Sequence, residues 1–314
     1  MRDRIFTSIQ NKTRLSKMKE AVIVTASSDE FFPWLLNLIG SIQNNFPDHP
    51  PIAVYDLGLK KSFVKELRAI KDVEVFMVPP FTPFWRSCYT WKLYALKNAP
   101  AKIIFYIDAG CEVLKPLDEI FRIIDKEGYF CIDQRYCGED SYLKEIIPED
   151  FARRLGIKNL KEFCGDKLYF CAGIFGYKRG TRYEDYVSEV FDLAREGWSI
   201  GWSLCEMHRN IGRDKTDVIR DCRLFRHDQT VLNAVFYKHL NNLKLHDNTK
   251  YADLNRYSHP EQLIWASRRT NRTLKYLSRI IYSNNRIFAR FFHGLYCLFL
   301  MNKYKIKNTA ISAK

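Results

Sequence analysis

The arrangement of apolar runs near the start of the chain limits its fold more than any other feature of the sequence. Short apolar runs with β-branched side chains are typical of buried parallel strands. Such runs occupy residues 21–25, 52–56 and 73–78. Apolar residues recur at three- and four-residue spacing over residues 31–46, and residues 61–71 favour a polar helix. This alternation of strands and helices predicts a doubly wound, mostly parallel α/β sheet.

The pattern continues into the middle of the chain, where a strongly apolar strand is expected over residues 102–107. Residues 133–168 are polar and irregular, as is typical of an insertion that shapes a cleft. Ser27, Ser28 and Asp29 precede the first helix, and we expect this segment to cap it. The remaining predicted elements are a strand over residues 169–177 and helices over residues 91–96, 183–196 and 229–239, with another that ends near residue 126.

Positive charge is concentrated at the two ends of this 314-residue chain. The net charge is +14, of which residues 1–19 contribute +5 and residues 268–314 contribute +11, so the part between them carries −2. A nearly neutral body argues against nucleic-acid binding. We therefore divide the chain into a basic N-terminal extension (residues 1–19), one folded domain (residues 20–262) and a basic tail (residues 263–314).

The tail has the pattern of an amphipathic helix. Arg279, Arg286 and Arg290 alternate with apolar residues that recur at helical spacing, namely Leu277, Ile281, Phe288, Phe292, Leu295 and Phe299. Such a helix binds an anionic membrane surface, and it can equally pack on the body or on a second subunit. Its apolar stretch is too short to span a bilayer, so the membrane interpretation is a peripheral one.

Cysteine usage and the N-terminus indicate the compartment. The nine cysteines are scattered and form no C-x-x-C pair, which fits a reducing environment. The N-terminus is basic and polar, without the apolar segment of a signal peptide or membrane anchor. We expect a cytoplasmic protein that the tail can hold on the inner face of the plasma membrane.

Ligands of doubly wound sheets bind beyond the carboxyl ends of the strands. Position alone therefore singles out residues 25–27, Asp56 and Asp108, which end or follow predicted strands. Asp108 follows the most apolar of these strands. Its carboxylate can bind a divalent cation or a ribose hydroxyl there, or it can cap the next turn.

Four motifs resemble, in their order along the chain, those of the GT-A glycosyltransferases, particularly the galactosyltransferase-like family 8 group. They are residues 24–29 (Val-Thr-Ala-Ser-Ser-Asp), 106–110 (Tyr-Ile-Asp-Ala-Gly), 170–177 (Phe-Cys-Ala-Gly-Ile-Phe-Gly-Tyr) and 227–233 (His-Asp-Gln-Thr-Val-Leu-Asn). The resemblance extends over about residues 20–247 and rests on the order of the motifs. It implies a GT-A fold, a Rossmann-like and mostly parallel doubly wound sheet, here followed by the basic amphipathic tail.

The resemblance also implies that the protein transfers a sugar from a nucleotide-sugar donor, and it assigns residues to the donor site. The implied donor-binding residues are Thr25, Ala26, Ser27 and Asp29 for the base and ribose, Asp108, Ala109 and Gly110 for the diphosphate, and Ala172 and Gly173 for the sugar. Asp228 and Gln229 are the implied catalytic residues. Retaining relatives place a glutamine near the anomeric carbon, whereas inverting enzymes use an acid as general base, so both stereochemical outcomes stay open.

A divalent cation, Mn²⁺ or Mg²⁺, is a further implication of the resemblance, with Asp108 as a ligand. The second metal-binding aspartate of the family is replaced by Gly110, so the expected site needs Glu112 or His246 as additional ligands. Basic residues provide the alternative. In related sequences the helix before this strand presents a cation to the donor, and Arg86 and Lys92 are the candidates here.

The leading hypothesis is a transferase that acts on a glycan or lipid-linked glycan acceptor in cell-envelope or capsular polysaccharide synthesis. A nucleotidyltransferase that makes sugar nucleotides is one alternative, although residues 25–29 lack the glycine-rich loop typical of that class. A catalytically degenerate sugar-nucleotide or glycan-binding protein on the same fold is another, since Gly110 removes a carboxylate.

Overall fold

The three apolar runs form adjacent parallel strands in a computed structural model, which describes residues 19–135, 141–200, 222 and 224–266. The strands are β1 (Lys19–Ser27), β2 (Ile52–Asp56) and β3 (Val73–Met77). Helix α1 (Phe32–Asn45) leads from β1 to β2, and helix α2 (Lys61–Arg68) leads from β2 to β3. Each helix returns the chain to the same edge of the sheet, so the three strands run in one direction.

The sheet continues on the other side of β1. Helix α3 (Thr90–Asn98) leads into β4 (Ala101–Ile107), which pairs in parallel with β1. Strand β7 (Phe170–Lys178) is antiparallel to β4, and β6 (Tyr129–Asp133) is antiparallel to β7. The strand order is β3-β2-β1-β4-β7-β6. Because the direction reverses twice, β6 ends at the same edge as β1 to β4.

Helices cover both faces of this sheet. Those not yet named are α4 (Asp118–Glu127), α5 (Glu149–Arg154), α6 (Leu160–Cys164), α7 (Arg182–Arg195), α8 (Asp228–His239) and α9 (Asn248–Tyr251). Side chains alternate across a strand, so Ile104 and Tyr106 pack on the side of α3, α7 and α8. Phe105 and Ile107 pack on the side of α1, α2 and α4. A residue beyond β4 can therefore meet side chains from α3 and α8.

A second, small sheet closes one side of the domain. It consists of β5 (Glu112–Val113), β9 (Ile264–Trp265) and β8 (Ala252–Asp253), in the order β5-β9-β8. The predicted domain boundary after residue 262 falls just before β9, which pairs with both other strands. The domain therefore continues beyond that boundary. Residues 1–18 and 267–314, which carry the predicted extension and membrane-binding helix, lie outside the described residues.

Two local expectations differ from the structure. Ser28 was expected in a helix cap, but it precedes a 3₁₀ turn (Asp29–Phe31) and its side chain makes no capping hydrogen bond. The segment predicted to be irregular contains the two short helices α5 and α6. Within the described ranges, no helix combines the length and apolar character that crossing a membrane requires.

We expect the substitution Gly176→Ala to lower the free energy of unfolding by about 1–3 kcal/mol. The new Cβ would overlap Ile124 Cδ1 on α4 and would lie 3.0 Å from the carbonyl oxygen of Ile104, so α4 would have to move away from the sheet. Urea unfolding followed by circular dichroism measures the change. Met77→Ala at the end of β3 is the control, because the Met77 side chain is 79% exposed. An unchanged midpoint for Gly176→Ala would contradict the close packing of α4 on β7.

Candidate functional site

A nearly buried lysine joins two carboxylates beyond the carboxyl end of β4. Lys92 Nζ lies 2.9 Å from Asp228 Oδ2 and 3.4 Å from Asp108 Oδ1. Lys92 and Asp228 are buried, whereas the side chain of Asp108 keeps 19% of its surface exposed. Buried charges are stable only when they are paired. We call these three residues the Lys92 cluster, which ties α3, the end of β4 and the start of α8 together.

The Asp108 carboxylate is held from two sides. Tyr106 Oη donates a hydrogen bond to Asp108 Oδ1 at 2.8 Å, and the Asp108 N–H donates to the carbonyl oxygen of Gly173 at 2.9 Å. A Cβ at position 173 would lie 2.6 Å from Asp108 Oδ2. Glycine at this position therefore leaves room for the carboxylate. Two motifs that are far apart in the sequence form one unit.

The backbone is strained on both sides of the Lys92 cluster. Cys88 and Tyr89, which precede α3, have φ angles of 51° and 62°, and His227, which precedes α8, has a φ angle of 55°. Non-glycine residues in this region cost on the order of 1–3 kcal/mol each and concentrate at functional sites. The Lys92 ammonium also lies over the rings of Tyr89 and Tyr106, at 5.4 and 5.1 Å from their centroids.

A hydrogen-bond chain links the starts of α3 and α8 behind the Lys92 cluster. The hydroxyls of Thr90 and Ser199 are 2.7 Å apart, and His227 Nδ1 lies 3.1 Å from the carbonyl oxygen of Ser199. That oxygen can only accept, so His227 carries its proton on Nδ1 in this contact. Ser199 therefore contacts the residues at the starts of both α3 and α8.

Burial raises the pKa of the Asp228 carboxyl above its ordinary value, although the adjacent Lys92 ammonium opposes this shift. A carboxyl group in such a place binds a proton more readily than an exposed one. Asp228 can therefore exchange a proton with a ligand at a higher pH than an ordinary aspartate.

The orientation of the Gln229 amide is fixed by the protein. Gln229 Nε2 donates to the carbonyl oxygen of Phe170 at 2.7 Å and also to Gln134 Oε1. Asn233 binds both backbone polar groups of Phe170, because its Oδ1 accepts from Phe170 N at 2.8 Å and its Nδ2 donates to Phe170 O at 3.0 Å. Both amide hydrogens of Gln229 are thus used internally, so the oxygen Oε1 is the atom that it can offer to a ligand. No pattern in the sequence indicates Gln134, which directly follows β6.

The residues predicted to hold a nucleotide lie at the end of β1. Thr25, Ala26 and Ser27 are buried, and the Thr25 hydroxyl has no hydrogen-bond partner among the described residues. Asp29 accepts a hydrogen bond from Lys60 N at 2.7 Å and pairs with Lys60 Nζ at 3.1 Å. Its carboxylate therefore joins the loops that follow β1 and β2, a structural use in addition to the predicted one.

Arg86 lies beyond the neighbouring strand β2. A Cβ on Gly58 would lie 3.3 Å from Arg86 Nη2, and the guanidinium stacks on the ring of Trp85 at 4.6 Å. Arg86 is exposed, and no carboxylate in the described part of the chain pairs with it. Since β2 and β4 flank β1, about 10 Å of sheet edge separates Arg86 from the Asp108 strand.

Glu112 and His246 do not join Asp108 in one metal site, contrary to the expectation from the sequence. Glu112 belongs to the small sheet and faces Arg256, with Oε1 3.5 Å from Nη2. The His246 ring stacks on Phe130 at 5.0 Å, and its Nε2 lies 3.9 Å from a carboxylate oxygen of Glu127, just before the start of β6. The backbone of His246 pairs with β6 beside Ile132, and its ring lies with Phe130 on the face of the sheet that α4 covers.

The rest of the predicted metal motif forms a tight turn. Cys111 N donates to the carbonyl oxygen of Asp108 at 3.0 Å, which places Ala109 and Gly110 inside the turn. Across the described ranges, no group of three or more His, Cys, Asp or Glu side chains is arranged to hold a metal ion. Ala172, the remaining predicted residue, is buried on β7 beside Gly173.

Solved structures of other proteins resemble this chain in fold. The galactosyltransferase LgtC, solved in complex with donor and acceptor sugar analogs, matches with a TM-score of 0.50 and 11% identity over 84% of this chain and 98% of its own. The apo-form glycosyltransferase GlyE of Streptococcus pneumoniae matches with a TM-score of 0.51 and 11% identity over 94% of this chain and 66% of its own. The chain therefore has the GT-A fold.

The match covers different shares of these proteins. This chain spans only 37% of the bifunctional glycosyltransferase WbbM, which matches with 15% identity over 69% of this chain and a TM-score of 0.44. No protein-family model matches the sequence, and no curated protein matches it. The likeness is one of fold.

We expect Lys92→Met to lower the free energy of unfolding at pH 8 by about 3–5 kcal/mol, because it leaves the buried Asp228 carboxylate without its counter-ion. The loss should be smaller at pH 4. Burial raises the pKa of Asp228 in the folded state above its pKa in the unfolded chain. Protonation of Asp228 therefore favours the folded state at a pH below the unfolded pKa, and this contribution is lost as the pH rises through the folded pKa.

Urea unfolding of the wild type and the variant at both pH values measures this difference. Lys97→Met is the matched control. It lies in the same helix, where its ammonium donates to the hydroxyl of Ser188 instead of pairing with a carboxylate. A deficit for Lys92→Met that is equal at pH 4 and pH 8 would contradict the pairing.

Proposed function

We propose that the protein is a glycosyltransferase that moves a sugar from a nucleotide-sugar donor to a saccharide or lipid-linked saccharide acceptor. The observation that carries this proposal is the Lys92 cluster at the carboxyl edge of a GT-A sheet. Asp108 and Asp228 come from motifs that are more than a hundred positions apart, and both contact one ammonium. Perturbed, buried and partly accessible carboxylates of this kind are typical of reaction centres.

The edge of the sheet divides into two parts. On the β1 and β2 side, backbone groups after β1 and the exposed Arg86 guanidinium are suited to a nucleotide and its diphosphate. On the β4, β7 and β6 side, Asp108, Gly173 and the Gln229 carbonyl oxygen are suited to the hydroxyls and ring of a sugar. A ligand that contacts both parts of the edge would have a nucleotide at one end and a sugar at the other, as a sugar nucleotide has.

The likeness to LgtC supports two substrates. That protein was solved with both a donor and an acceptor sugar analog, and this chain matches 98% of its length. An acceptor beside the donor sugar would lie near Asp228 and Gln229. Asp228 is the residue suited to take the acceptor proton in an inverting transfer, and Gln229 Oε1 is the atom suited to lie near the anomeric carbon in a retaining transfer. The anomeric configuration of the product, measured by NMR, separates the two.

The cellular role that we propose is cell-envelope or capsular polysaccharide synthesis at the inner face of the plasma membrane. The support for the location is the charge of +11 carried by residues 268–314, which suits an anionic lipid surface. One observation favours a second candidate. Gly110 removes a carboxylate from the diphosphate motif, as expected for a protein that binds a sugar nucleotide without turning it over.

We expect the purified protein to release a nucleoside diphosphate from at least one of a panel of UDP-, GDP- and dTDP-sugars. Asp108→Asn should reduce that rate by on the order of 100-fold, because it removes the only motif carboxylate while preserving its shape. Coupled detection of the released diphosphate measures the rate.

Asp125→Asn is the control, because Asp125 is an exposed aspartate on α4 that pairs with Lys178. If a sugar nucleotide raises the melting temperature of the wild type and no diphosphate is released, the result would support a protein that binds a sugar nucleotide without turning it over. Equal rates for Asp108→Asn and the wild type would refute the assignment of the site.

A further inference from the structure

We propose that the Lys92 ammonium occupies the place of the divalent cation in this GT-A site, so that the protein holds no Mn²⁺ or Mg²⁺ between Asp108 and Asp228. The inference rests on the proposed function, because the place concerned is the donor site. Lys92, and not a metal ion, then supplies the fixed positive charge between the two carboxylates.

The side chains present do not fit a metal site. Asp108 is the single carboxylate of its motif, since Gly110 stands where the second is expected. Glu112 is turned towards Arg256, and His246 packs between Phe130 and Tyr251. Hard divalent cations require several oxygen ligands, and among the described residues neither Glu112 nor His246 joins Asp108 in a group that could hold one.

The ammonium already uses the oxygens that a metal ion would need. Asp108 Oδ1 and Asp228 Oδ2 come from different elements and both lie within 3.4 Å of Lys92 Nζ. A divalent cation that bridged these two carboxylates would have to occupy the same volume. It could bind only after the ammonium had left.

The surroundings of Lys92 oppose such a displacement. The side chain is only 6% exposed, and its ammonium lies over the rings of Tyr89 and Tyr106. Electron-rich ring faces attract a cation, and the attraction is strongest when the cation is desolvated. An ammonium held by two carboxylates and two rings is thus a built-in part of the site.

The exposed guanidinium of Arg86 supplies the positive charge that the leaving diphosphate needs. One ammonium against two carboxylates leaves the Lys92 cluster with a net charge of −1. This cluster alone cannot attract a diphosphate. Arg86 has no acidic partner in the described part of the chain, and its fork of donors matches phosphate oxygens.

Removal of the ammonium should convert the cluster into a metal site. Lys92→Ala removes the ammonium that Asp108 Oδ1 and Asp228 Oδ2 share, and Mn²⁺ can then bind between the two carboxylates. Titration of Mn²⁺ followed by electron paramagnetic resonance, on the full chain and without nucleotide, measures the binding. We expect Lys92→Ala to bind Mn²⁺ at least about tenfold more tightly than the wild type, and the additional change Asp108→Ala to abolish this gain.

Two controls keep the result interpretable. Lys97→Ala removes a lysine from the same helix and should behave as the wild type. Lys92→Gln preserves most of the side-chain volume, so it replaces Lys92→Ala if the latter does not fold, and it is expected to bind Mn²⁺ more tightly than the wild type as well. A folded Lys92 variant with no gain in Mn²⁺ affinity would overturn the inference.

The wild type provides an independent test. We expect it to bind no Mn²⁺ in an Asp108-dependent manner and to release nucleoside diphosphate equally fast in EDTA and in Mn²⁺. Release that stops in EDTA and returns with Mn²⁺ would overturn the inference while supporting the proposed function. The electron paramagnetic resonance titration measures Mn²⁺ binding without any reaction. It therefore tests the inference even if the protein shows no transferase activity.

Discussion

A buried ammonium is unstable without its counter-ions, and the position of Lys92 therefore constrains three distant parts of the chain together. Its helix α3, the turn after β4 and the first residue of α8 must meet before the charges are neutralised. The strained φ angles of Tyr89 and His227 occur where the chain enters α3 and α8. Strain of this kind persists because the surrounding contacts determine the geometry. The Lys92 cluster is thus the interaction on which the arrangement of the proposed donor site depends.

The sheet places chemically different groups along one edge. Parallel strands end together, so the end of β1, the loop under Arg86 and the turn at Asp108 line up side by side. The reversal at β7 brings Gly173 to Asp108 and leaves β6 ending at the same edge. The amide of Gln229 is fixed there by the carbonyl oxygen of Phe170. In the proposed function, the Arg86 guanidinium lies on the nucleotide side, and the Asp108 carboxylate and the Gln229 amide oxygen lie on the sugar side.

The elements with a local pattern could be predicted from the sequence. Strands β1 to β4 and helix α8 have apolar runs or spacing that indicate them, and Asp108 follows its strand in the motif that the resemblance uses. Strand β6 and the two-residue strands of the small sheet carry too little pattern to be recognised. The role of His246 could not be predicted either, because its stacking on Phe130 depends on a long-range pairing with β6. Lys92 was expected to face the donor, and the structure buries it between two carboxylates.

Lys92 and Asp228 form a buried pair that holds the starts of α3 and α8 together. The most direct test is a double-mutant cycle with Lys92→Met, Asp228→Asn and the combined variant, in which urea unfolding gives each free energy of unfolding. We expect a coupling energy of about 1–3 kcal/mol, because either single change leaves a buried group without its partner and the combined change does not. Additive single effects, with a coupling energy near zero, would contradict it.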